Sequence, residues 1–143
     1  MTMFGRWLSD KAQKHSLRSD RNHTGQIAEE KACQWLQQQG LTLLESNYSC
    51  RAGEIDLVMR DRQQLIFVEV RYRSHSSFGG AAASVDRRKQ QKLIKAATHY
   101  LGHHPQLNHL PCRFDVIAAQ VENNSVNMPP EVHWRWIKNA FMT

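Results

Sequence analysis

Two carboxylates stand in stretches that leave them little access to water. The run Leu65-Ile66-Phe67-Val68-Glu69-Val70-Arg71-Tyr72 is almost continuously apolar, with one acid near its middle. Burying an unpaired carboxylate costs several kcal/mol, so Glu69 requires a cation or strong donors close by. The run Gly53-Glu54-Ile55-Asp56-Leu57-Val58 repeats the pattern, with Asp56 between large aliphatic residues. In a strand of period two, Leu65, Phe67, Glu69 and Arg71 share one face and Ile66, Val68 and Val70 the other. If the two strands pair across a turn at Asp61-Arg62, Asp56 and Glu69 fall opposite each other to within a residue or two, which a bulge absorbs. Two carboxylates and a backbone carbonyl such as that of Val70 make an all-oxygen site suited to Mg²⁺ or Mn²⁺. A metal there would relieve the repulsion that otherwise raises the pKa of one acid. The simpler alternative is that Glu69 pairs with Arg71 or Arg73. Asp115 has Arg113 as a ready partner and reads as structural, and Glu54 reads as an edge residue.

The elements that must position these acids follow from periodicity and punctuation. Residues 1–23 mix Arg6, Lys11, Lys14, Arg18 and Arg21 with polar neighbours and show no sustained period, so a flexible basic arm is expected, with a short turn around Phe4, Trp7 and Leu8. A single domain is expected over 24–143. Ile27, Ala28, Ala32, Trp35 and Leu36 recur at helical spacing before Gly40, which gives a first helix. Strands are expected over Leu41–Tyr48, Glu54–Arg60 and Gln64–Tyr72, forming an antiparallel meander. Ser74–Ser84 is a Ser-, Gly- and Ala-rich loop, with Ser84 placed to cap a second helix that ends near Gly102. A fourth strand over Arg113–Val121 then lies parallel to the third, and Asn123-Asn124-Ser125 turns into a last strand near Val132–Ile137. The fold class expected is α/β, an α+β mixed sheet in the order αβββαββ.

Composition narrows the function classes. At 143 residues the chain suits one domain and one core. Its hydrophobic share of 41% and charged share of 22% argue against wholesale disorder. No run reaches the roughly 18–20 apolar residues that span a bilayer, and Met1–Gln26 has no apolar signal core, so a cytoplasmic protein without a membrane partner is expected. Cys33, Cys50 and Cys112 are odd in number and lack a CxxC spacing, which points away from disulfides and zinc knuckles. The formal charge of +6 favours a polyanionic partner. Arg87, Arg88, Lys89, Lys92 and Lys95 crowd the start and one side of the second helix, where they could meet phosphates. His75, His103, His104 and His109 fit no standard zinc spacing. Trp134 and Trp136 could stack bases, although alternate aromatics on one strand face more often pack a core.

Several of these segments together resemble a known family. The motifs Gly53-Glu54-Ile55-Asp56-Leu57, Phe67-Val68-Glu69-Val70-Arg71-x-Arg73, Phe78-Gly79, Arg88-Lys89-Gln90 and Arg113-Phe114-Asp115-Val116, in that order, are similar to those of the YraN family of uncharacterised bacterial proteins. That family is similar in turn to the PD-(D/E)xK superfamily with its restriction-endonuclease-like core, and within it to Holliday junction resolvases. The resemblance implies Asp56 and Glu69 as metal ligands and Glu29, in the segment Gly25-x-x-x-Glu29, as a third acid beside the metal. It implies a Mg²⁺- or Mn²⁺-dependent endonuclease hydrolysing DNA phosphodiesters, branched DNA included. The superfamily places lysine two residues after the Glu, where this chain has Arg71. Arginine stays charged and suits clamping phosphate oxygens better than handling the proton of an attacking water. Lys89 could reach the site in its place, and Arg73, Arg87, Arg88, Lys89 and Lys92 would grip the nucleic acid. The alternative is a catalytically silent DNA-binding protein of the same fold. A two-fold homodimer would match paired cuts on a junction.

Overall fold

The computed structural model describes residues 17–73, 85–122, 127 and 131–142, with the side chains of 17–24, 73, 121, 122 and 131 outside the description. The turn expected near Phe4, the 74–84 loop and the turn at 123–125 lie outside the described residues. The elements run α1 (Leu17–Gln38), β1 (Thr42–Cys50), β2 (Gly53–Arg60), β3 (Leu65–Arg73), α2 (Arg87–Gly102), a 3-10 turn (Pro105–Leu107), β4 (Cys112–Glu122) and β5 (Glu131–Phe141). This is the expected α+β mixed sheet in the expected order, with the short 3-10 turn added.

The sheet order is β1-β2-β3-β4-β5. The first three strands form an antiparallel meander, β3 and β4 are parallel neighbours, and β5 returns antiparallel to β4. Each helix covers one face of the sheet. On α1, Ala32, Cys33 and Leu36 pack with Leu57, Met59, Ile66, Val68 and Ile117. On α2, Leu93, Ala96, Ala97 and Tyr100 pack with Ile55, Leu65, Phe67, Phe114 and Val116. Strand β3 is therefore apolar on both faces because both faces are covered, as a central strand with a parallel neighbour requires.

Local chemistry sets the boundaries. Helix α1 begins at Leu17, within the stretch expected to be an arm. Residues 17–23 are nearly all polar and give no hydrophobic period, yet extending a nucleated helix adds one backbone bond per residue fixed. At its other end Gly40 takes φ +101°. The N–H of Leu41 reaches Leu36 O at 3.1 Å and that of Gly40 reaches Gln37 O at 3.0 Å, the paired bonds of a Schellman stop. Between β2 and β3, Asp61 Oδ1 accepts the N–H groups of Gln63 and Gln64, each at 2.8 Å, which fixes the tight connection. The cap of α2 is Asp86 and not Ser84: its carboxylate accepts the Lys89 N–H at 2.8 Å. Val85, just before it, is buried in the α2-side core and anchors the helix entry.

Candidate functional site

Asp56 sits where the regular ladder gives out. Pairing between β2 and β3 runs from Arg60↔Leu65 to Leu57↔Val68 without a shift. Continued one step, that register would set Asp56 against Glu69, but the regular pairing stops at Leu57. At that step Asp56 Oδ2 accepts the backbone N–H of Val70 at 2.8 Å. On the other side of β2, Tyr48↔Ile55 and Ser46↔Leu57 flank Asp56, and the residue between them on β1, Asn47, has φ 53°. Ile55 belongs to the α2-side core and Leu57, two residues on, to the α1-side core. Strict alternation would put both on one face. The backbone thus swivels at Asp56, and its carboxylate is reached from both sides of the sheet.

Two further acids meet it there. Glu69, on the α2 face, is only 6% exposed. Burial pushes its carboxyl up to about 7, and the charge of Asp56 adds to the rise, while Lys89 and Arg71 pull in the opposite direction. Burial dominates: Lys89 Nζ and Arg71 Nη2 each lie 3.5 Å from Glu69 Oε1, at the long end of ion pairing, and neither reaches Oε2. Glu29, on α1, is pushed up to about 8, by burial first and then by the Asp56 charge and a hydrogen bond to Asp56, with Asn47 drawing it back. Among the described residues four buried polar atoms have no hydrogen-bond partner, and three of them belong to this site: Glu29 Oε2, Glu69 Oε2 and Arg71 Nε, the fourth being Gln120 Oε1 on β4. An acid triad with two orphaned oxygens, faced by two cations, can hold a proton at neutral pH or accept an added cation.

Glu29, Asp56, Glu69, Arg71 and Lys89 are therefore brought together, and Lys89 reaches the strand acid from the first turn of α2. The helix passes close over Gly53, where a Cβ would lie 3.4 Å from both Cβ and O of Lys92, at the near limit of ordinary van der Waals contact. Arg87, Arg88 and Lys92 are exposed along α2, and the Arg73 side chain lies outside the described residues. Among the described residues no three His, Cys, Asp or Glu side chains form a ready metal cage.

Asp115 is structural, as expected. Fully buried, it accepts from Arg113 Nε at 3.0 and 3.2 Å, from Trp136 Nε1 at 2.8 Å and from the Asn139 N–H at 2.9 Å. Trp134 and Trp136 pack around Trp35, each with ring centroids 6.1 Å away. His104 stacks on Tyr100 at 4.0 Å and meets its carbonyl at 2.8 Å. Asn47 is the site residue that sequence reasoning passed over. Asn is among the few residues that adopt positive φ readily, and its place across from Asp56 was the available signal.

The profile of an uncharacterised protein family, UPF0102, matches residues 28–119, a span that contains all five of these residues. A UPF0102 protein of Alcanivorax borkumensis is 50% identical over 125 residues, covering 87% of this chain and 95% of that one. One from Pseudomonas syringae pv. syringae is 52% identical over 124 residues, covering 87% and 97%. One from Xanthomonas oryzae pv. oryzae is 52% identical over 121 residues, covering 85% and 93%. The chain belongs to the uncharacterised protein family UPF0102, the YraN family whose motifs the sequence resembles.

Proposed function

We propose that the protein is a divalent-metal-dependent endonuclease acting on DNA phosphodiesters. The observation that carries this reading is the triad itself: Asp56 bonded to Val70 N–H, with Glu29 and Glu69 beside it and one carboxylate oxygen of each orphaned. The donor type fits a hard cation, because Mg²⁺ is commonly held by one or two carboxylates with water and substrate phosphate completing its shell. Asp56 and Glu69 would hold the ion, which when bound supplies Lewis acidity toward a phosphate oxygen and acidifies a water.

The remaining chemistry falls to the chain's own groups. Arg71 and Lys89 share Glu69 Oε1. Both would bind the non-bridging oxygens of the scissile phosphate. Lys89, a compact point charge, can also hold the attacking water in place. Glu29, half-protonated near pH 8, can carry a proton beside Asp56. Arg87, Arg88 and Lys92 extend the cationic surface for neighbouring phosphates, and Arg73, next on β3 after Arg71 and Tyr72, would join them.

Arg71 in the lysine position favours a second reading, a protein of this fold that binds DNA and does not cut it. Labelled linear, single-stranded and four-way-junction DNA, incubated with Mg²⁺, Mn²⁺ or EDTA, separates the two. Metal-dependent cleavage that disappears in Asp56→Ala supports the nuclease; retention without cleavage supports the binding protein; the absence of both cleavage and retention removes both readings.

A further inference from the structure

Beside the acid triad lies a groove of about 410 Å³ between α1 and β1. Its walls include Gln26, Gln34 and Gln37 from one stripe of α1, and Ser46 and Asn47 from β1. Leu57, next in sequence to Asp56, and Glu29 close its inner end, so the groove and the triad share a wall. Among the described residues no Lys or Arg lines it, and the charged lining residues are Glu29 and Glu30. The cations of the site, Arg71 and Lys89, meet Glu69 on the opposite, α2 face of the sheet. The two sides of the carboxylates thus differ: Arg71 and Lys89 approach Glu69 on one, while carboxamides and a hydroxyl dominate the other, where Lys31 Nζ lies 3.4 Å from Gln34 Oε1.

We infer that this groove receives one unpaired nucleobase of the DNA strand whose phosphate meets the acid triad, so that the protein selects DNA with an unpaired nucleotide next to the scissile bond. The inference rests on the nucleic-acid reading above. Carboxamides offer both donors and acceptors, which match the mixed donor and acceptor edge of a base freed from pairing. Glu30, the exposed acid of the lining, disfavours a phosphate there, and the cations that would draw one, Arg71 and Lys89, lie on the α2 face, so the base and not the backbone enters. The volume falls within the range of small-ligand clefts, roughly 300–1,000 Å³, and is far too small for a duplex. A nucleotide laid across the end of the β2–β3 ladder would therefore have its phosphate directed to Arg71 and Lys89 and its base to the Gln34 and Asn47 side.

The test compares affinities for blunt duplex and for the same duplex carrying one unpaired nucleotide, by fluorescence anisotropy in EDTA so that cleavage does not intervene. A second readout is 2-aminopurine at the unpaired position. The wild-type protein is expected to prefer the unpaired substrate about tenfold, in line with the energy of single base contacts. The 2-aminopurine emission is expected to change on binding. Gln34→Trp and Ser46→Trp, which fill the groove from opposite walls, should each bring the ratio to about one and abolish the emission change; two variants guard against one failing to fold. Arg88→Glu should lower both affinities together and keep the ratio. Equal wild-type affinity for the two substrates, or a preference that survives both filled variants, would overturn the groove assignment and leave the phosphate reading intact. Absence of binding to either substrate would overturn both.

Discussion

Removing the buried charge at Glu69 should change how stability depends on pH, and the sign is fixed by the direction of the shift. A carboxyl whose pKa is higher folded than unfolded stabilises the protein below its unfolded value, and that contribution is lost as pH rises through the folded value. The displacement of Glu69 from 4.5 to about 7, at about 1.4 kcal/mol for each tenfold change in proton affinity, amounts to roughly 3 kcal/mol lost between about pH 5 and pH 8. Glu29, raised to about 8, adds to the same trend, and because both acids interact with Asp56 their titrations are shared. The assay is urea unfolding at several pH values, in EDTA and in excess Mg²⁺, for wild type and Glu69→Gln. The wild type in EDTA is expected to weaken across that interval, Mg²⁺ to restore stability most at the alkaline end, and Glu69→Gln to remove much of both effects. Glutamine keeps the shape, carries no charge to bury, and loses only two contacts at 3.5 Å. A wild-type stability that is flat or rising across this interval, or an equal slope in the variant, would refute the reasoning.

Further expectations follow from single contacts. Lys89→Ala should lower the cleavage rate about 100-fold with little change in DNA affinity, the magnitude for losing a charge-stabilising group, as read by single-turnover kinetics. Asp115→Ala strips the partner from Arg113 Nε, Trp136 Nε1 and the Asn139 N–H, and should cost about 3–5 kcal/mol in urea unfolding. Reversing charge in the exposed pair Arg87 and Arg88 should weaken DNA binding and flatten its salt dependence by about one to two in the log–log slope, leaving stability nearly unchanged.

The sheet was readable from the sequence where each strand obeyed a simple period. Leu65 and Phe67 against Ile66 and Val68 divide between the two cores as alternation requires, and so the side on which Glu69 and Arg71 emerge followed directly. The partner of Asp115 was readable for the same reason, since Arg113 is two residues away on one strand. Three features were not. The start of α1 is carried by helix propagation through polar residues, which leaves no apolar signal. Asp86 and Ser84 are both good caps, and only the burial of Val85 decides between them. The swivel at Asp56 lies across from Asn47, whose left-handed backbone looks like an ordinary polar position within a strand.

That swivel bears on why the acids are there at all. A protein needing only a basic surface to hold DNA would gain stability by carrying an apolar residue at Glu69, because replacing a buried ionic group with well-packed apolar atoms is often neutral or stabilising. Here three carboxyls are held together, two of them far above their ordinary pKa, across a break in the ladder and beside a residue at positive φ. Each of these departures is unfavourable alone, and all of them converge on one point of the sheet. Packing offers no return for that convergence, and Arg71 and Lys89 neutralise only one of the oxygens involved. A bound cation would reverse the sign of the carboxylate repulsion at this point, which is why the stability of the site in Mg²⁺, and not its basic surroundings, bears most directly on what it does.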